Sequence, residues 1–161
     1  MKPRIQIDLA KQQLRWSGAA GQERWFPVST ALAGAGERFG SGCTPRGRHV
    51  VRAKIGAAAP SGAVFVGRRH TGEIYDSELA ARFPRRDWIL TRILWLSGTE
   101  IGRNRLGDVD TMRRYIYIHG TPEAEPMGVP GSHGCIRMRN ADVITLFDIT
   151  PAGTPVEITE D

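Results

Sequence analysis

Long apolar runs are missing from this sequence of 161 residues. A membrane-spanning helix needs a run of about 18 or more apolar residues, so we predict no membrane span. Low-complexity tracts and internal repeats are also missing, although the chain contains 19 glycines and 10 prolines. These residues fall between apolar runs, which indicates turns rather than disorder. The length and a hydrophobic content of 40% predict one globular domain over residues 1–161.

Cysteine is scarce, since the chain has only Cys43 and Cys135. No CxxC or HExxH pattern is present, so neither common zinc signature occurs. His119, His133 and Cys135 would be the candidate zinc ligands, but a Cys two residues after a His is cramped for two ligands on one ion. We therefore predict no metal and no cofactor. We expect both thiols to be free, because a disulfide would consume Cys135.

A concentrated basic motif is missing too, although the net charge is +5. The arginines form scattered pairs, such as Arg68-Arg69 and Arg113-Arg114, rather than a stripe along one helix. No helix-turn-helix, zinc-finger or RNA-recognition pattern accompanies them. We predict no nucleic-acid partner, and a basic face would attract anionic peptides instead.

The first residues lack the apolar core of a secretion signal. They alternate like a strand from the outset, with Ile5, Ile7 and Leu9 on one face. This pattern favours a cytoplasmic protein. The alternative is a periplasmic protein whose leader was removed.

The most informative segment present is SHGCIRM, Ser132 to Met138, preceded by IHG at Ile118 to Gly120. A cysteine nucleophile needs a base for its proton and backbone N–H groups for the oxyanion that forms on attack. Glycines beside it let backbone and substrate approach closely. These features predict Cys135 as a nucleophile. Its base is His119 or His133, and the residues alone leave that choice open.

Strand patterns dominate the rest of the chain. Alternating or β-rich runs separated by Gly, Ser and Pro turns predict the following strands: Arg4–Leu9, Gln13–Trp16, Arg24–Thr30, His49–Ile55, Ala63–Val66, Trp88–Leu96, Arg114–His119 and Pro155–Thr159. One helix is predicted after the nucleophile segment, with Asn140 as its cap. A second, short helix is predicted near Ser77–Arg82. The loop Thr121–Gly131 and the segment Gly67–Asp87 are expected to wall the cleft.

A histidine, a gap of this length and then Ser-His-Gly-Cys resembles the signature of the L,D-transpeptidase catalytic domain, or YkuD, family. Further segments also resemble family elements in family order: FPVSTAL (Phe26 to Leu32), GCTPRGRH (Gly42 to His49), DWILTRILWL (Asp87 to Leu96) and RYIYIHGT (Arg114 to Thr121). The resemblance covers roughly residues 4 to 158. It implies a mainly β, single-domain sandwich or flattened barrel with one or two short helices.

The resemblance also implies acyl transfer on peptidoglycan stem peptides, through a thioester at the bond between a diamino acid and the following D-residue. Cys135 is then the nucleophile and His119 the base, whose ring is held by the carbonyl of Gly120. The amides of His133, Gly134 and Cys135 are the implied oxyanion hole, and the side chain of His133 orients substrate or assists the leaving amine. Acylation of Cys135 by carbapenems is implied as well.

Three further residues are assigned to substrate binding. Arg137 suits a substrate carboxylate, because a guanidinium matches that group bidentately, or else it forms a structural ion pair. Ser132 lies beside the nucleophile, and Tyr117 either faces the cleft or only packs.

Three functions follow. The favoured one is a cytoplasmic L,D-carboxypeptidase that releases D-alanine from tetrapeptides in muropeptide recycling. The alternative is a periplasmic L,D-transpeptidase that forms 3→3 cross-links or exchanges D-amino acids. A distant alternative is a non-catalytic peptidoglycan-binding module.

Overall fold

A computed structural model describes residues 2–160 of the chain. Within these residues, ten strands, two α-helices and a 3-10 turn at Gly107–Val109 follow one another. In order they are β1 Arg4–Asp8, β2 Gln13–Ser17, β3 Glu23–Pro27, β4 Gly47–Ile55, β5 Ala63–Val66, β6 Arg69–Ile74, α1 Ser77–Arg82, β7 Ile89–Gly98, β8 Tyr117–Gly120, β9 Ile136–Met138, α2 Asn140–Ile149 and β10 Pro155–Thr159.

The strands form one curled sheet in the order β3-β2-β1-β10-β4-β7-β5-β6, with β8 beside β7 and β9 beside β8. The mainly β class predicted from the sequence is confirmed, and the sheet has the shape of a half-barrel. Most neighbours are antiparallel, but β1 lies parallel to β10 and β8 lies parallel to β9. The chain therefore brings β9, which carries the residues just after Cys135, alongside the strand that carries His119.

The main core fills the inside of the curl, where α2 covers β7 and β8. Strand alternation explains its composition: Ile5 and Ile7 of β1 are buried there, and so are Leu94 and Leu96 of β7. A second, smaller cluster lies on the opposite face of β7, around Ile93. Because β7 is covered on both faces, its sequence is a nearly continuous run of apolar residues.

The helix predictions had different outcomes. The short helix α1 occupies Ser77–Arg82 as predicted. Helix α2 also forms, but the prediction that Asn140 caps it is wrong, because Arg139 stands at the N-cap position and makes no capping bond. The side chain of Asn140 turns inward instead. Its amide accepts from the Thr91 hydroxyl at 2.6 Å and donates to the Thr121 carbonyl at 3.1 Å, so it ties three segments together.

No helix among residues 2–160 is long and apolar enough to cross a membrane.

Candidate active site

Strand alternation places the predicted catalytic residues on one face of β8 and β9. The parallel register pairs Ile118 with Ile136 and His119 with Arg137. Ile118 and Ile136 point into the main core. Their neighbours His119 and Arg137 therefore point to the opposite face, where both line a cleft together with Cys135. The cleft has a volume of about 380 Å³.

Backbone groups of Tyr115 and of Tyr117, the first residue of β8, hold the thiol of Cys135. Its Sγ accepts a hydrogen bond from the N–H of Tyr117 at 3.3 Å and donates to the carbonyl of Tyr115 at 3.3 Å. Burial raises the pKa of the Cys135 thiol to about 12, although the N–H of Tyr117 acts in the opposite direction. The resting thiol is therefore protonated. Neither Cys135 nor Cys43 is part of a disulfide.

The imidazole of His119 is buried and fixed in one orientation. Its Nδ1 lies 2.6 Å from the carbonyl oxygen of Gly120. Because a carbonyl can only accept, Nδ1 carries the proton and Nε2 keeps a lone pair. Burial lowers the pKa of His119, so the ring is neutral. No hydrogen bond joins it to Cys135 within the described part of the chain, and proton transfer requires the thiol to leave the Tyr115 carbonyl.

Gly120 must be a glycine for a steric reason. A Cβ at this position would lie 2.7 Å from the carbonyl oxygen of Leu90, closer than real Cβ atoms approach. Gly120 pairs with Leu90 of β7 in the sheet. The absence of a side chain therefore lets β8 lie close to β7 beside His119.

A frame of hydrogen bonds shapes the nucleophile loop. The hydroxyl of Ser132 donates to the carbonyl of Cys135 at 2.6 Å and accepts from the N–H of Gly134 at 3.2 Å. Thr44, which is fully buried, donates to the carbonyl of Gly134 at 2.9 Å. Gly134 has a φ of +133°, a value that strongly favours glycine. Ser132 thus braces the loop; its predicted role in substrate binding, like the predicted oxyanion hole, stays a prediction.

The FPVSTAL segment, Phe26 to Leu32, also forms hydrogen bonds that hold the nucleophile loop. After β3 ends at Pro27, the chain continues extended and pairs with the loop: the Ser29 N–H donates to the Arg137 carbonyl, and the Arg137 N–H donates back to Ser29. The Ser132 N–H donates to the carbonyl of Thr30. These bonds hold both ends of the loop that carries Cys135.

His133 stands at the open side of the cleft, with 78% of its side chain exposed. Its Nδ1 lies 3.7 Å from a carboxylate oxygen of Asp87, and the other carboxylate oxygen accepts from Arg137 at 3.2 Å. Sequence reasoning missed Asp87 as a site residue, although it is the first residue of the DWILTRILWL segment. Arg137 also donates to the carbonyl of Gly131 at 3.1 Å. The structural ion pair considered for Arg137 is therefore present.

Tyr117 both packs and faces the cleft. It is almost fully buried beside Ile93 and Phe65, and it also lines the cleft. Its hydroxyl accepts a hydrogen bond from Arg68 at 3.1 Å. Burial raises the pKa of the Tyr117 phenol. Sequence reasoning gave no role to Arg68, which lies in the segment predicted as a second wall.

The walls of the cleft differ partly from the prediction. Gly67, Arg68 and Asp87 from the predicted segment Gly67–Asp87 do line it. None of the lining residues found among residues 2–160 comes from the loop Thr121–Gly131. Nor do the described residues group three His, Cys, Asp or Glu side chains in a way that could hold a metal ion.

Comparison with known proteins gives consistent matches. The sequence model of the L,D-transpeptidase catalytic domain, YkuD, matches residues 2–158. YqjB of Bacillus subtilis (strain 168), to which L,D-transpeptidase activity is ascribed, is 52% identical over 44 residues, which is 27% of this chain and 25% of YqjB.

Two solved structures have the same fold. An L,D-transpeptidase from Mycobacterium smegmatis superposes with a TM-score of 0.58 at 18% identity, over 98% of this chain and 58% of that one. L,D-transpeptidase 3 from Mycobacterium tuberculosis, in complex with a faropenem-derived adduct, superposes with a TM-score of 0.60 at 17% identity, over 98% of this chain and 61% of that one. The chain thus spans about three fifths of these solved chains.

Proposed function

The chain belongs to the L,D-transpeptidase catalytic domain family, and from this premise we propose that it is a cysteine-dependent L,D-peptidase of peptidoglycan stem peptides. One observation carries the proposal. A thiol held by backbone groups shares a cleft with a neutral histidine whose Nδ1 is fixed by a carbonyl, as a general base requires. A module that only binds peptidoglycan has no need of this pair.

The geometry supports a sequence of steps. As the Cys135 sulfur attacks the carbonyl carbon of the diamino acid, its proton passes to Nε2 of His119. The bond to the following D-residue then breaks, and the D-amino acid leaves as an amine that takes up the same proton. The thioester is finally attacked by an acceptor. The exposure of His133 at the cleft opening supports a role in orienting substrate rather than as the first base.

Water is the favoured acceptor, which makes the protein an L,D-carboxypeptidase that converts tetrapeptide into tripeptide and D-alanine. A cleft of about 380 Å³ is near the lower end of the size range of ligand pockets, about 300–1,000 Å³. It suits one peptide end better than a donor and an acceptor together. The second candidate is an L,D-transpeptidase, and the activity ascribed to YqjB favours it.

The decisive experiment is incubation of the purified protein with a tetrapeptide, with and without an amine acceptor, followed by mass spectrometry. We expect tripeptide and free D-alanine, with little 3→3 dimer, and no reaction of a tripeptide that ends in the diamino acid. Predominant dimer, or strong exchange with added D-amino acids, would establish transpeptidation instead. Cys135→Ala should abolish all turnover, whereas Cys43→Ala should keep most of it. Turnover by the Cys135→Ala protein would disprove the thioester.

Carbapenems supply a second test. An L,D-transpeptidase with the same fold has been solved in complex with imipenem, a carbapenem, and acylation of this chain by a carbapenem should add a covalent mass that is lost in Cys135→Ala. The cytoplasmic location stays a prediction of the sequence, and fractionation of cells expressing the native gene would test it.

A further inference from the structure

The cleft is lined by three arginines, which differ in what their guanidinium groups contact. Arg137 pairs with Asp87, and Arg114 donates to backbone carbonyls, including that of Cys43 at 2.6 Å. Arg68 also lines the cleft, yet no carboxylate within residues 2–160 forms an ion pair with it. A guanidinium with no counter-charge in a concave site is a candidate for binding an anionic group of a ligand.

Aromatic rings hold this guanidinium in place. Its central carbon lies 4.8 Å from the ring centre of Trp95 and 4.8 Å from that of Tyr115. Nη1 donates to the hydroxyl of Tyr117 at 3.1 Å. Cation–π contacts and one hydrogen bond fix the plane of the fork, and Nη2 and Nε remain to donate. An orienting contact of this kind lowers the entropic cost of binding.

The same two tyrosines connect Arg68 to the nucleophile. Tyr115 and Tyr117 contact Arg68 with their side chains, and they contact the Cys135 sulfur with their backbone C=O and N–H groups. The guanidinium therefore lies about one tyrosine side chain away from the thiol. A peptide attacked by Cys135 would therefore occupy the same cleft as this guanidinium.

The backbone at Arg68 departs from local preference. Arg68 and Gly67 form the two-residue turn between β5 and β6, and both have positive φ, at +65° and +56°. Turns of this kind prefer Gly, Asn or Asp, because a larger side chain is strained there. Strain that the surrounding structure maintains is a mark of functional positions. The turn directs a costly residue into the cleft where glycine would be easier to accommodate.

We propose that Arg68 is a specificity-determining residue that binds a carboxylate of the stem peptide. This inference rests on the proposed function for its substrate class. Stem peptides carry several carboxylates, and the planar fork can hold one of them through two parallel N–H donors. Arg68 thereby sets which stem peptides bind productively, and it takes no part in proton transfer.

The test compares free and amidated substrates. Tetrapeptides in which one carboxylate at a time is converted to the amide are assayed with the wild type, Arg68→Gln and Arg69→Gln. Arg69 is the adjacent arginine of the same hairpin and does not line the cleft, so its variant measures the general effect of losing one charge. We expect Arg68→Gln to raise KM about 10- to 100-fold, the range for hydrogen bonds to charged groups, with kcat nearly unchanged.

One amidated substrate should show the same loss with the wild type and no further loss with Arg68→Gln. Arg69→Gln should resemble the wild type. Arg68→Gly fits the positive φ, so it provides a variant whose turn is retained, and it should match Arg68→Gln. If Arg68→Gln weakens free and amidated substrates equally, Arg68 only supports Tyr117 and the inference is wrong.

Calorimetry with Cys135→Ala separates this inference from the proposed function. Tetrapeptide binding that Arg68→Gln weakens in this background, together with an inactive wild type, would overturn the proposed reaction and support the carboxylate site. If the wild type turns over tetrapeptide and Arg68→Gln does so with unchanged kcat and KM, the proposed reaction is supported and the carboxylate site is overturned. Absence of tetrapeptide binding would overturn the carboxylate site.

Discussion

Alkylation of Cys135 in the free protein tests the protonation state on which the proposed mechanism depends. Burial raises the pKa of this thiol from its ordinary 9.0 to about 12. Since only the thiolate is alkylated, the rate at neutral pH should be about a thousandfold below that of an ordinary cysteine. The rate should also rise about tenfold per pH unit from neutral pH upward, and level off only near pH 12.

The assay uses Cys43→Ala, in which Cys135 is the only remaining thiol. Iodoacetamide modification is followed by intact-mass spectrometry across the pH range, with Cys135→Ala reporting the reactivity of Cys43 under the same conditions. A plateau near pH 7 would mean that the resting protein holds a thiolate beside a charged histidine. The neutral thiol and neutral His119 described above would then be wrong, and proton transfer would precede substrate binding.

Three further predictions follow from the geometry. His119→Gln should lower kcat/KM by about 10²- to 10⁴-fold, the usual range for a lost general base. His133→Gln should lower kcat/KM less. A larger loss with His133→Gln would mean that His133 is the base. Gly120→Ala should destabilise the protein by about 1–3 kcal/mol in chemical denaturation, the range for overpacking, because its Cβ would meet the Leu90 carbonyl at 2.7 Å; unchanged stability would contradict this contact. Burial lowers the pKa of His49 from 6.5 to about 4. On acidification the unfolded chain therefore binds a proton at His49 before the folded chain does, and stability should fall as the pH drops from 6.5 to 4. Melting curves of His49→Gln should show a weaker dependence of stability on pH, and an identical dependence would refute the lowered pKa of His49.

Most strands of the sheet could be predicted from the sequence, because apolar and polar residues alternate along them. The predicted strands Ala63–Val66 and Pro155–Thr159 have the observed bounds, and others differ by a few residues at their ends. Strand β3 was predicted to reach Thr30 but ends at Pro27, because the residues beyond it pair with the nucleophile loop through isolated bridges rather than with β2. The boundary depends on a partner about a hundred positions away in the chain, which no local pattern reveals.

The strands missed by sequence analysis lack the apolar alternation on which it relies. Strand β6, RHTGEI, is almost entirely exposed at the edge of the sheet and exists because a two-residue turn pairs it with β5. Strand β9 has only three residues, too few for a periodic signal. At Asn140, by contrast, a local signal was present but led to a wrong prediction. Its type and position suit a helix cap, but a buried hydroxyl and carbonyl compete for its amide.

The sequence by itself identified the candidate nucleophile of the SHGC loop and its candidate bases, because these residues and the flanking glycines lie within about twenty positions of one another. It also determined that alternate residues of β8 face opposite ways. The tertiary structure decided which residues of the other segments join them. Asp87 reaches His133 and Arg137 only because β7 is the sheet neighbour of β8, and Arg68 reaches Tyr117 only because the β5–β6 hairpin pairs with β7. Local periodicity fixes the direction of a side chain, whereas the neighbours it meets depend on strand order and register, which arise from contacts distant in the chain.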